Sequence, residues 1–186
     1  MRTLCALFAL TALCAAASAD VVTDFNVTGV LSMDFEGDVD NEVYTMDLAA
    51  AAGLPSGTEV SMTGIGWDLT ITTYDISYLQ EAQIYFDDNI NPDGTGLYLN
   101  PGAGDNFGGT AAYSSGGILL LSDASIPDIV LPDGILRLEF CESGWDDVAD
   151  GADAIYDLGV LNIQFTPEPA SLALLAIGGL ALIRRR

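Results

Sequence analysis

Residues 20–36 read Asp-Val-Val-Thr-Asp-Phe-Asn-Val-Thr-Gly-Val-Leu-Ser-Met-Asp-Phe-Glu, and their alternation decides the fold class. Val21, Thr23, Phe25, Val27, Leu31, Met33 and Phe35 take odd positions, whereas Asp20, Asp24, Asn26, Asp34 and Glu36 take even ones. Successive side chains of a strand point to opposite faces. A period of two therefore predicts a long strand, or two strands broken near Gly29, with one face buried. A second series, Val60 and Met62 followed by Ile65, Trp67, Leu69 and Ile71, changes parity across Gly64 and Gly66. That slip predicts a β-bulge.

The same reading extends along the chain. Ala82, Ile84 and Phe86 predict a third strand that ends at the turn-rich stretch from Asp87 to Gly96. Leu97 and Leu99 start a short strand stopped by Pro101-Gly102-Ala103-Gly104. Ile118 to Leu121, then Leu136, Leu138 and Phe140, then Leu161, Ile163 and Phe165 supply further strands. Helical periodicity is confined to Met46–Ala52, a short helix, and an irregular turn within Trp145–Tyr156. No segment is long enough for the crossover helix of a parallel βαβ unit. The expected fold is all-β: a single antiparallel β-sandwich, jelly-roll-like, of about eight strands. An aromatic-rich strand, the Asp87-Asp88 loop, a Gly-rich loop and a closing Gly159-Val160-Leu161-Asn162-Ile163 strand follow in an order that resembles the P-domain jelly roll found beside secreted proteases. No function is carried over from that likeness.

Both ends of the chain carry targeting patterns. Arg2 precedes an apolar run from Leu4 to Ala16, and Ala17-Ser18-Ala19 offers small residues before a signal-peptidase cut, giving a mature start at Asp20. A lipoprotein signal is excluded because Leu13, not a small residue, precedes Cys14. At the other end Thr166-Pro167-Glu168-Pro169 leads into an apolar run, Ala170 to Ile183, closed by Arg184-Arg185-Arg186. Its 14 residues rise about 21 Å as a helix, against a hydrocarbon core of roughly 30 Å, so the run is a weak permanent anchor. Snorkelling arginines offset part of that mismatch, and their positive charge keeps the C-terminus inside and residues 20–166 outside.

Pro-Glu-Pro, a hydrophobic stretch and a basic end, in this order, resemble the PEP-CTERM sorting signal of Gram-negative bacteria. The resemblance implies recognition by an exosortase-type membrane enzyme at Pro167, Glu168, Pro169 and Arg184 to Arg186, with transient inner-membrane insertion. It also implies a cell-surface or biofilm setting, since such families accompany exopolysaccharide production. The expected organisation is a signal peptide (1–19), an acidic β-sandwich domain (20–165) and the sorting signal (166–186).

Charge and composition exclude several functions. Residues 20–166 keep 26 of the 27 acidic side chains and a single base, Arg137, for a net charge of −25 in 147 residues without lysine. Such a field repels nucleic acid and anionic lipid and suits a soluble extracellular domain. The chain has no histidine, which removes Ser-His-Asp and Cys-His catalysis and nearly every zinc, copper or iron site. Cys5 and Cys14 leave with the signal peptide, so Cys141 has no intrachain partner and reads as a small buried hydrophobe.

Two groups of oxygen ligands are candidates for calcium. Asp87, Asp88, Asn89, Asn91 and Asp93 concentrate oxygen ligands, and the fragment Asn89-x-Asn91-x-Asp93-Gly94 resembles the start of an EF-hand loop, but Asn89 and Asn100 replace the acids that such a loop requires. A looser Ca2+ site closed by a distant acid is the alternative to a turn-forming cluster. Asp146, Asp147, Asp150, Asp153 and Asp157 form the second group. Asp34, Glu36, Asp38, Asp40 and Glu42 read as the solvated face of a strand and its turn. Tyr74, Tyr78, Tyr85, Tyr98, Tyr113, Trp145 and Tyr156 read as core-rim aromatics rather than a sugar platform.

The expected function is a non-enzymatic exported protein of the cell surface or extracellular matrix, without a firm cofactor. A carbohydrate- or calcium-binding module, with exopolysaccharide as a partner, is the alternative. A carboxylate-dependent glycosidase is the remote one, because among so many acids some pair falls at glycosidase spacing by chance.

Overall fold

The computed structural model of the chain describes residues 19–92, 96–143 and 151–168. The expected signal peptide up to Ser18, Trp145 and residues 169–186 lie outside them.

The opening alternation splits into two strands, β1 (Val21–Asn26) and β2 (Val30–Ser32). Gly29, at φ +85°, turns the chain between them. This turn reverses the parity, so Val30 and Ser32, rather than Leu31 and Met33, face inward. β3 (Glu42–Asp47) follows, and the Asp47 side chain accepts a hydrogen bond from the Ala50 N–H to cap a one-turn helix, α1 (Leu48–Ala51). Then come β4 (Val60–Thr73), β5 (Ala82–Asp88), β6 (Leu97–Leu99), β7 (Thr110–Ser114) and β8 (Leu119–Leu120). A 3-10 turn, β9 (Ile129–Leu131), β10 (Ile135–Glu142) and β11 (Ala154–Pro167) complete the order. Ala154 to Tyr156, expected in an irregular turn, instead open β11.

One sheet runs β1-β11-β4-β7, with β2 continuing β1 along β11, and β8 and β9 continuing β7 along β4. The other runs β3-β10-β5-β6. Every strand-to-strand pairing in both sheets is antiparallel. Grouping the collinear strands leaves four positions per sheet, and the chain switches sheet at each step except β5 to β6. This is the jelly-roll wrap, in which two Greek keys fold into facing sheets.

The core lies between the sheets. Met62, Leu69, Ile71, Tyr156, Leu161, Ile163 and Phe165 come from one side, and Ile84, Phe86, Leu136, Leu138 and Phe140 from the other, all essentially fully buried. Phe140 meets Tyr156 edge-on at 5.1 Å between ring centres. Each such apolar side chain contributes about 2 kcal/mol on leaving water.

The expected bulge is present: Gln164 pairs with Gly64 but Phe165 with Met62, leaving Thr63 as the extra residue. A second irregularity gives β11 the extra residue Asp157.

Strand direction sorts the connections. Residues 33–41, 74–81, 100–109, 143 and 151–153 lie at one end of the sandwich. Residues 52–59, 89–92, 96 and 132–134 lie at the other, with residues 19–20 and 168 beside them. The two ends have different chemistry.

Candidate functional site: a sorting end and an acidic end

At the end that holds residues 19–20 and 168, the strands nearest the two termini are hydrogen-bonded neighbours. Val21, at the start of β1, is paired with Phe165 near the end of β11. The Thr166 hydroxyl donates to Asp20 Oδ1 at 2.7 Å, and Gln164 Nε2 donates to Asp20 Oδ2 at 3.2 Å. β11 then continues past β1: Thr166 opposes Ser61 and Pro167 opposes Val60. The Glu168 N–H donates to the Glu59 carbonyl at 3.2 Å. The sheet therefore runs two residues beyond the expected domain boundary at 165. Expected cleavage-site residues Ala19 and Asp20 are exposed here, while Ala17 lies outside the described residues.

The remaining calcium candidates are divided between the ends. Asp87 is buried on β5, where its Oδ2 accepts from the Tyr85 hydroxyl at 2.5 Å and its Oδ1 from the Asp88 N–H at 2.7 Å. Asp88 Oδ1 accepts from the N–H groups of Ile90 and Asn91, each at 2.7 Å, which makes a side-chain-closed turn. Asn89 and Asn91 sit exposed on that turn, and Asp93 lies outside the described residues. Asp87 and Asp88 line a cavity of about 400 Å³ with Asp128 and the apolar stretch Ile126-Pro127.

Asp153 is at the opposite end, fully buried, accepting from the Ser77 hydroxyl at 2.7 Å. Its main chain joins Ser32 and Tyr74 at 3.0 and 2.8 Å, tying three loops together. Asp146, Asp147 and Asp150 lie outside the described residues. The described members of the two candidate groups are thus not brought together, and Asp157 belongs to the β11 bulge, bonded to the Thr72 hydroxyl.

The far end holds a cluster whose alternation reads as a solvated face. Carboxylate oxygens of Asp34, Asp38 and Asp40 lie within 4.8 Å of one another, with Asp38 and Asp40 exposed. Oxygen ligands of this kind suit a hard cation. The loop carrying them is shaped by a group that alternation placed in solvent. Residues 34–41 fold across the outer face of β10, where Glu139 Oε1 accepts from the Gly37 N–H at 2.6 Å and from Asn41 Nδ2 at 2.8 Å. Glu139 Oε2 meets the guanidinium of Arg137 at 2.7 Å. Neighbouring Glu142 accepts from the Ser32 hydroxyl at 2.6 Å. The sole signal for these buried acids in the sequence was the lone arginine two residues before Glu139.

Burial also sets the state of the other polar groups. Cys141 is fully buried, and desolvation, followed by the charges of Glu139, Glu36 and Glu142, pushes its thiol up to about 12. It is an inert side chain rather than a nucleophile. Desolvation, then a carboxylate partner, raises the phenols of Tyr85, Tyr98 and Tyr113; the partners are Asp87, Glu36 and Asp105. Tyr85 and Tyr156 are fully buried, whereas Tyr74 and Tyr78 are half-exposed on one far-end loop, with Ile76 and Phe107 exposed nearby. The described aromatics therefore do not converge on a single flat platform.

The last strand of this acidic jelly roll, β11, reaches Pro167 at the start of the C-terminal tail. Residues 165–186 match the PEP-CTERM protein-sorting motif. That motif marks export, a membrane-associated sorting intermediate and processing by an exosortase-type membrane enzyme. No curated protein matches the chain. Among solved structures, the infectious bursal disease virus VP2 subviral particle aligns at TM-score 0.36 and 12% identity, over 83% of this chain and 34% of that one. The chain thus spans about a third of that VP2 chain. The tobacco streak virus coat protein aligns at TM-score 0.31 and 15% identity, over 81% and 87% of the two chains. Turnip yellow mosaic virus aligns at 0.30 and 8%, over 82% and 96%.

Proposed function

We propose that the protein is a non-enzymatic component of the cell surface or extracellular matrix, displayed as a folded acidic jelly roll after its tail is processed. The observation that carries this reading is the exit of the sorting motif beside residue 20, at one end of the sandwich. A precursor held in the inner membrane through both a signal peptide and a C-terminal apolar run needs its two ends to leave on the same side. The opposite end, with Asp34, Asp38 and Asp40, then faces away from the anionic membrane, which suits an outward display in an exopolysaccharide-rich setting. The buried carboxylates of Asp87, Glu139, Glu142 and Asp153 accept hydrogen bonds that hold loops, a structural use rather than a catalytic one.

The test is membrane fractionation of a chain carrying an epitope after Asp20, in a host with an exosortase. Replacing Glu168 with Ala leaves export and insertion intact but traps uncut precursor in the membrane, and deleting Arg184 to Arg186 disturbs retention before any cut. Release of the Glu168→Ala chain as efficiently as wild type, or a wild type that stays full-length at the membrane, favours a plain anchor instead.

A further inference from the structure

We propose that the sandwich withholds its own sorting motif, and that Thr166, Pro167 and Glu168 must separate from β4 before a membrane enzyme can process the tail. The inference rests on the reading that the tail is cut. The motif does not begin after a linker; it begins inside β11, at Phe165. Thr166 and Pro167 are in register with Ser61 and Val60, and the Glu168 N–H is bonded to the Glu59 carbonyl at 3.2 Å. Asp20 adds a second tie through the Thr166 hydroxyl at 2.7 Å.

Enzymes that cut or transfer peptide chains commonly take the substrate as an extended strand, reading main-chain N–H and C=O groups along one edge. Alternation along β11 directs the main chain of Glu168, and of Thr166 two residues before it, toward β4. Pro167 faces the open side, where β1 has already ended, and a proline supplies a carbonyl there but no N–H. The exposed edge thus offers little to bind while the pairing lasts. Freeing the strand exposes the Thr166 and Glu168 main-chain groups to a new partner.

Phe165 limits how far the release can go. Its ring is fully buried in the core and its residue pairs with both Val21 and Met62. Unpairing therefore stops after residues 166–168, three residues that extend about 10 Å. The body consequently stays at the site of processing, and the end bearing Glu59 and Asp20 is the face that meets the enzyme.

The experiment inserts Gly-Gly-Ser-Gly-Gly-Ser between Thr166 and Pro167 of the full chain, leaving Phe165 in place. A control carries the same insert in the far-end loop 74–81. Pulse-chase in an exosortase host follows conversion of precursor to cut product. The tail insert should speed conversion at least threefold while the control matches wild type. An unchanged or slower tail insert, or a control that accelerates equally, overturns the inference while leaving the processed-tail reading intact. A wild-type chain that is never cut removes that reading and this inference together.

Discussion

The guanidinium of Arg137 lies 2.7 Å from the carboxylate of Glu139, so the only base of residues 20–166 is committed to a carboxylate that is 1% exposed. The pair stands on the outer face of β10 and fixes the loop 34–41 through Gly37 and Asn41. Removing one partner of a buried ion pair leaves the other charged and desolvated, which costs roughly 3–5 kcal/mol. Arg137 keeps some solvent contact, at 17% exposed, which favours the lower end of that range.

Arg137→Ala should therefore destabilise the protein by about 3 kcal/mol in urea titration. Adding Glu139→Gln should recover part of the loss, because the neutral amide needs no counter-charge while its oxygen can still accept from Gly37 and Asn41. A double variant weaker than Arg137→Ala would mean that the carboxylate is held by the loop rather than by the arginine.

Alkaline pH should unfold the protein early. Burial raises Cys141 from its ordinary 9.0 to about 12 and raises Tyr85, Tyr113 and Tyr156 above 10.0. All four are acids whose protonated form is favoured by folding. Below about pH 9 both states hold these protons and the contribution is fully present. As pH rises the unfolded chain loses its protons first, so stability falls, by at most about 1.4 kcal/mol per pH unit for each group. Melting temperature should drop from pH 9 upward, and Cys141→Ala should flatten the curve between pH 9 and 10. A wild-type curve flat to pH 11 would contradict this reading.

The strands that were legible in the sequence are those with one apolar face turned to the core, such as Leu136, Leu138 and Phe140 on β10 or Leu161, Ile163 and Phe165 on β11. β3 escaped because it is a sheet edge: Val43 and Tyr44 stay partly exposed, and Met46 reads equally well as a helix start. β7, Thr-Ala-Ala-Tyr-Ser, lacks bulk, and its pairing with β4 is what makes it a strand. Glu139 and Cys141 occupy the outward phase of β10, as alternation requires, yet both are buried because a loop some 100 residues earlier in the chain folds over them. Local pattern carries no trace of such a cover. The sorting motif was legible because all its parts are local, whereas its pairing with Ser61 and Val60 depends on a strand distant in sequence.

Gly159 marks a place where β11 admits no side chain. Its φ is +143°, and a Cβ built there would lie 2.4 Å from the Asp68 carbonyl oxygen of β4. An unfavourable backbone region costs about 1–3 kcal/mol in itself, and the clash adds a shift of two central strands. Gly159→Ala should cost about 3 kcal/mol or more in chemical denaturation. By contrast, Gly57→Ala, at φ +83° but with no atom within 4 Å of the new Cβ, should cost only the backbone strain. Equal losses at the two sites would remove the close approach of β4 as the cause.

Net charge makes the final prediction one of salt. Residues 20–166 carry −25, and Asp34, Asp38 and Asp40 crowd oxygens within 4.8 Å on one loop. The screening length falls from about 30 Å at 10 mM salt to about 8 Å at 150 mM, so self-repulsion across a domain of this size is felt at the lower concentration and much reduced at the higher. Melting temperature should rise between 10 and 150 mM NaCl. Asp38→Asn should start above wild type at 10 mM, since one of three crowded charges is gone, and the two curves should converge as salt rises, because screening removes only the difference that charge creates. If Asp38→Asn is instead less stable than wild type at every salt concentration, Asp38 holds the loop through contacts that need its charge, and repulsion is not the dominant force there.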